Sequence, residues 1–421
     1  MAATTGPPVG LLPQLRRAAL LAGAALSAFV LSGAAPRAAA PADEVRALWV
    51  TRSSLTSPAA IRAMVRSAAA SGFNTLLVQV RGRGDAYFAS RIEPRAQALA
   101  GQPASFDPLA DTIAAARAEG LRVHAWVNVN LISSGADVPA SRSHVVYEHP
   151  EWLMVLRELA FELARLDARS PAHLGRLERC TRARPAEIEG LYLSPVHPGA
   201  IDRLVSIVDE LLTAYPLDGL HLDYVRYPSS NFDYSRPALA AFRAQVEGRL
   251  TEAERRRFGP RDMAELVGLA DARPADWSNF RRSRLNTLVM RLRTLTRERR
   301  PGLVFSAAVY PDPVEATSER LQDWRTWLEH RLIDVVCPMA YTPDTAAFAA
   351  QIASVRQLAA GRTVWAGIGA YRLPSSRTIE NIEIARRLGA DGIVLFSYDS
   401  LVGAPHGRDY LPAVGRAAFA P

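Results

Sequence analysis

A (β/α)8 barrel is the fold class the sequence predicts, and three observations predict it. Between residues 41 and 421, short apolar runs alternate with segments whose apolar residues recur at three- to four-residue spacing. The runs number eight, the count that closes such a barrel. An open doubly wound sheet lacks support, because "RGRGDA" at 81–86 neither fits G-x-G-x-x-G nor leads straight into a helix.

Residues 1–40 stand apart from this pattern. Arg16 and Arg17 precede "AALLAGAALSAFVLSGAAP", and Ala38 to Ala40 offer an A-x-A cleavage site; no acidic residue occurs before Asp43. This is the layout of a cleavable signal peptide. Its apolar core is short for a membrane span, so no stable anchor is expected after cleavage. The mature chain, 41–421, is then exported, periplasmic or extracellular, and is read as one domain.

The strands follow in order. "VRALWVT" (45–51), "NTLLVQVR" (74–81) and "RVHAWVN" (122–128) are the first three, with helices at 57–72 and 107–120 between them. Those helices open on Ser-Pro and Asp-Pro and close on Gly, as capped helices do. A long connection, about 131–196, precedes the helix at 197–215; its stretch 149–166 is expected to be a helix or a small insert. "LDGLHLDY" (217–224) is the fourth strand. A second long connection, about 229–302, ends in a helix over 276–300. "LVFSAAVY" (303–310), "IDVVCPMAY" (333–341), "TVWAGIGA" (363–370) and "DGIVLFSY" (391–398) complete the set, with a helix at 377–390 before the last. Loops after strands lie on the face where active sites of this fold sit, so the two long connections are expected to widen a cleft there.

The net charge of +8 falls to +5 without Arg16, Arg17 and Arg37, and every basic residue is Arg. The surplus is dispersed, which argues against nucleic acid and leaves an anionic cell-wall partner open. Cys180 and Cys337 form no zinc-type spacing and read as two unpaired thiols.

Side chains alternate sides along a strand. That parity turns His221 and Asp223 inward on the fourth strand, His124, Trp126 and Asn128 on the third, Gln79 and Arg81 on the second, and Cys337, Met339 and Tyr341 on the sixth. Asp223 is the last inward residue of its strand, and Tyr224 and Arg226 follow it at the rim. Polar groups are costly in an apolar barrel, and closure needs none of them. Gln79, Arg81, His124, Trp126, Asn128, Asp223, Tyr224, Arg226 and Tyr341 therefore read as a site. Amide, carboxylate and aromatic groups together suit a sugar. His124 and His221 also read as satisfied core histidines. Grouped with Asp223 they suggest a metal-dependent deacetylase, but no H-x-x-x-H spacing accompanies them. No cofactor and no metal is expected.

"EVRALWVT", "HAWVN", "HPEWLM", "DGLHLDYVRYP" and "DVVCPMAYTPD" resemble the glycoside-hydrolase-like family 10, in order, from about Glu44 to Tyr398. The resemblance implies an exported TIM barrel that hydrolyses glycosidic bonds, with glycan strands of peptidoglycan as one attributed substrate. The family's "DGIHFDDY" form has a second Asp where this chain has Tyr224. Glycoside hydrolysis generally uses two carboxyl groups. Asp223 is expected to be one, the nucleophile or stabilising carboxylate, held ionised by Arg226 or Arg81. Asp312, Asp344, Asp399 and Glu93 all fall just after strands, and Asp312 and Asp344 rank first as its partner. The alternative is a non-catalytic glycan-binding barrel.

Overall fold

In the computed structural model, residues 43–135 and 139–419 are described. The expected signal peptide, 1–40, lies outside them. Eight parallel strands close into a barrel in sequence order: β1 (Val45–Val50), β2 (Thr75–Arg81), β3 (Arg122–Asn128), β4 (Gly219–Asp223), β5 (Val304–Val309), β6 (Val335–Ala340), β7 (Thr363–Ile368) and β8 (Gly392–Phe396). Closure comes from β1 pairing with β8, Val45 opposite Gly392 and Trp49 opposite Phe396. Helices cover the outside. Pro58–Ala70 is capped by Ser57, whose hydroxyl accepts from Ala60 N–H, and Pro108–Ala118 by Asp107, which accepts from Leu109 and Ala110. No helix among the described residues is long and apolar enough to cross a membrane.

Two apolar layers result. The outward strand faces pack against the helices in one large core, and the inward faces form a smaller cluster that includes Ala47, Trp49, Trp126, Cys337 and Trp365. Both cysteines are free and buried.

The two long connections are built differently. The first breaks 149–166 into short turns, Pro150–Trp152 and Arg157–Leu159, and a four-residue helix, Ala160–Leu163. A continuous helix is prevented because Leu153 and Met154 are drawn into pairing with Leu193 and Tyr192. The "HPEWLM" stretch is fixed by His149 stacking on Trp152, ring centroids 3.7 Å apart. The second connection has its own core around Phe242, Trp277 and Phe280, and it ends in the helix Pro274–Arg299.

Candidate active site

β4 carries Asp223 to the mouth. Register sets His124 beside Gly219, Trp126 beside His221 and Asn128 beside Asp223. The Trp126 indole donates Nε1–H to Asp223 Oδ2 at 3.1 Å. The chain then turns at Tyr224, whose φ of 50° is left-handed and costs a bulky residue about 1 kcal/mol or more. That turn aims the Tyr224 N–H at Asp223 Oδ1, at 2.7 Å, and is held by Val129 and Asn130 N–H donating to the carbonyls of Asp223 and Tyr224. Asp223 is 8% exposed. Burial pushes its carboxyl up to about 6, against the opposing pull of the two N–H donors and of Arg226.

The second carboxylate comes from a loop. Residues 189–193 fold back along the chain leaving β3: Gly135 N–H donates to Glu189 O, and Ile132 N–H donates to Leu191 O, both at 2.9 Å. Gly190 permits this, because a Cβ there would stand 1.8 Å from Ser133 O. Glu189 Oε1 accepts from Arg226 Nη2 at 2.6 Å and Oε2 from the Tyr192 hydroxyl at 2.9 Å. Burial alone would raise the Glu189 carboxyl, but Arg226 and these hydrogen bonds win and hold it below its ordinary value. The Arg226 guanidinium in turn lies over the rings of Tyr224, at 4.6 Å, and Tyr310, at 5.3 Å.

Asp223 and Glu189 both line one cavity of about 740 Å³. Its floor and walls are largely aromatic: Trp49, Trp126, Tyr224, Tyr310, Tyr341 and Phe396. Trp49, Tyr341 and Phe396 contact one another at 5.4–6.2 Å between ring centroids. An apolar aromatic lining with a few convergent polar groups is the usual character of a ligand site.

Of the residues expected at the mouth, Gln79, Trp126, Asp223, Tyr224, Arg226 and Tyr341 line this cavity. Five others do not. Arg81 is displaced by a register irregularity between Gln79 and Arg81, which breaks the alternation; it is fully buried and pairs with Glu93, Nε to Oε2 at 3.1 Å. Asn128 is turned into the loop after β2, donating Nδ2–H to Gly82 O at 2.8 Å, with Oδ1 facing Gln79 Nε2. His124 lies four residues below Asn128, where its ring fills the space beside Gly219 and a Cβ would meet Nδ1 at 2.2 Å. Asp312 and Asp344 are exposed. Asp312 accepts from Val314 and Glu315 N–H, and Asp344 caps the helix Thr345–Ala359 through Ala346 and Ala347 N–H. Asp399 is also committed to backbone and hydroxyls, accepting from Thr51 N–H, Ser53 and Ser54.

The expected cation beside Asp223 is likewise placed otherwise: Arg81 serves Glu93, and Arg226 serves Glu189. With no ion pair of its own, Asp223 is governed by burial. The deacetylase grouping fails on geometry. His221 Nε2 accepts from Trp49 Nε1–H at 3.0 Å and Nδ1 faces Ser306 Oγ at 2.9 Å, which leaves no nitrogen for a metal. Among the described residues no cluster of His, Cys, Asp and Glu is arranged to hold one.

Sequence reasoning missed Trp49, Phe396, Arg52, Arg83, Tyr310 and Glu189 at the cavity. Inward parity on β1 and β8 marks Trp49 and Phe396. Nothing local marks Glu189.

A model of the family described as "Glycosyl hydrolase-like 10" matches residues 44–381. The chain belongs to this family. Among its relatives, glycosyl hydrolase DigH of Escherichia coli (strain K12) is 26% identical over 302 residues, covering 65% of this chain and 55% of that protein. Glycosyl hydrolase YngK of Bacillus subtilis (strain 168) is 22% identical over 290 residues, covering 64% and 46%. The chain thus spans about half the length of the curated relatives it matches. The glycoside hydrolase domain of PgaB (BpsB) from Bordetella bronchiseptica superposes with a TM-score of 0.63 at 17% identity, over 90% of this chain and 99% of that one. A β-galactosidase from Bacillus circulans sp. alkalophilus superposes at 0.60 and 15% identity, over 89% and 56%. At these identities the solved structures report the barrel fold, and the glycosyl hydrolase-like 10 match carries the family.

Proposed function

We propose that this chain is an exported glycoside hydrolase, endo-acting on a bacterial cell-wall glycan or another polysaccharide. The observation that carries the reading is a pair of carboxyl groups, Asp223 and Glu189, lining one aromatic cavity with their proton affinities driven apart. Neighbouring carboxyls of unequal affinity divide acid and base work. Asp223, raised to about 6 by burial, is the proton donor to the leaving glycosidic oxygen. Glu189, kept ionised by Arg226, acts at the anomeric carbon as nucleophile or as base for water. Trp126 and the Tyr224 backbone hold the Asp223 carboxyl in place, and the aromatic walls stack on sugar C–H faces. This reverses the role expected for Asp223 from the sequence, because the arginines that would have ionised it are engaged elsewhere. Incubation with denuded peptidoglycan strands and a polysaccharide panel, with products read by mass spectrometry, tests the reading. Absence of new reducing ends on every glycan refutes it.

A second reading, a glycan-binding barrel without turnover, is favoured by one observation: Glu189 is already committed to Arg226 and Tyr192. Tight binding on the same panel without any cleavage product supports it.

A further inference from the structure

The cavity carries more positive charge than its carboxylates neutralise. Three arginines line it, Arg52, Arg83 and Arg226, against Asp223 and Glu189. Arg226 is accounted for by Glu189. Arg52 and Arg83 are not: among the described residues neither forms an ion pair. Arg52 donates from Nη1 to the neutral Gln79 Oε1 at 3.0 Å, and Arg83 from Nη1 to Gly82 O at 3.1 Å. Asp85 Oδ1 accepts from the Arg83 backbone N–H, at 3.1 Å. Both reach the Gly82 backbone: the position of a Cβ on Gly82 lies 2.8 Å from Arg52 Nη1, and Gly82 O accepts from Arg83 Nη1. Burial and the charge of Arg52 both disfavour a proton on Arg83. Two guanidinium groups that line one partly buried wall, neither in an ion pair, disfavour each other's charge unless an anion joins them. Arginine presents a planar fork that matches a carboxylate.

We propose that Arg52 and Arg83 form an anion subsite that takes a carboxylate carried by the glycan. The preferred substrate is then an acidic polysaccharide, and a neutral one is discriminated against. This rests on the cavity being a glycan site; it does not depend on which carboxyl donates the proton.

The test measures binding by calorimetry, using Asp223→Asn so that no turnover intrudes. The probes are denuded peptidoglycan strands, which bear an ether-linked carboxylate on alternate sugars; chitooligosaccharides of the same length, which have the same linkage and no carboxylate; and hyaluronan oligosaccharides, whose carboxylate is on the ring. The acidic ligand of the right geometry is expected to bind about tenfold or more tighter than chitooligosaccharide at low salt, the scale of one charge-assisted hydrogen bond. That ratio should shrink as ionic strength rises. In the double variant Arg52→Gln/Arg83→Gln the ratio should fall toward one. Which acidic probe wins distinguishes the ether-linked from the ring carboxylate. Equal affinity for acidic and neutral strands in the Asp223→Asn protein overturns the subsite, and needs no arginine variant to fold. A ratio that survives removal of both arginines overturns their assignment. Cleavage of chitooligosaccharide by the unmodified protein as efficiently as of acidic strands also overturns the subsite while leaving the hydrolase reading intact. An intact binding ratio with no cleavage of any strand has the reverse meaning.

Discussion

At the level of His221 the barrel interior satisfies its polar groups; one step higher, at Asp223, it leaves one strained. Both residues are inward-facing positions of β4, two apart in sequence. His221 is fully buried, accepts from Trp49, faces the Ser306 hydroxyl, and is pushed down to about 3 by burial, so it stays neutral. Asp223 is almost as buried and has two N–H donors, yet lacks an ion pair of its own, and the same desolvation holds its proton up to about 6. Low dielectric disfavours charge in both places. In the floor that makes an imidazole inert. At the mouth it raises a carboxyl that lines a cavity of about 740 Å³.

The sharpest way to break this contrast is Asp223→Asn. It should lower kcat by about 10²–10⁴-fold on any glycan the parent cleaves, the range for losing a general acid or base, with the fold retained by circular dichroism. Full activity in that variant removes Asp223 from the mechanism. Glu189→Gln is expected to fall in the same range, whereas Asp344→Asn should retain parental turnover. The proton-donor role also fixes a pH limb: kcat should decline as pH rises through about 6. A decline on the acid side of that value instead would make Asp223 the ionised partner.

Changing the floor should cost stability rather than chemistry. His221→Ala leaves the Trp49 N–H and Ser306 hydroxyl unpaired around a new cavity, and should lower unfolding free energy by roughly 2–4 kcal/mol in urea titrations. At the mouth the sign is opposite. Folded Asp223 holds its proton more tightly than the unfolded chain does, so stability falls as pH rises from about 4 to about 6 and stays low above that. Asp223→Asn cannot ionise and should be more stable than the parent at pH 8 by up to ~2–3 kcal/mol, with the gain vanishing near pH 4. A variant equally stable at both pH values would show that burial does not strain this carboxyl. The smallest effect belongs to Asp344→Ala, a lost helix cap worth about 1 kcal/mol, read as a shift in denaturation midpoint.

The sequence by itself determined the eight strands, their order around the barrel and the arrival of Asp223 at the open end, because apolar runs and two-residue alternation are local signals that closure preserves. It also held the reason Asp344 caps a helix and does not line the cavity. An Asp directly before "TAAFAA" is a helix cap, and that local chemistry outranks its place after a strand. Tertiary structure alone decided the rest. The irregularity after Gln79 sends Arg81 to Glu93. The pairing of 189–193 with the chain beyond β3 brings Glu189 to Arg226 across a gap of 37 residues. Which arginine neutralises which carboxylate is a matter of distances between segments remote in sequence. Those distances set the proton affinity of Asp223, so the role proposed for it rests on packing and not on the motif that contains it.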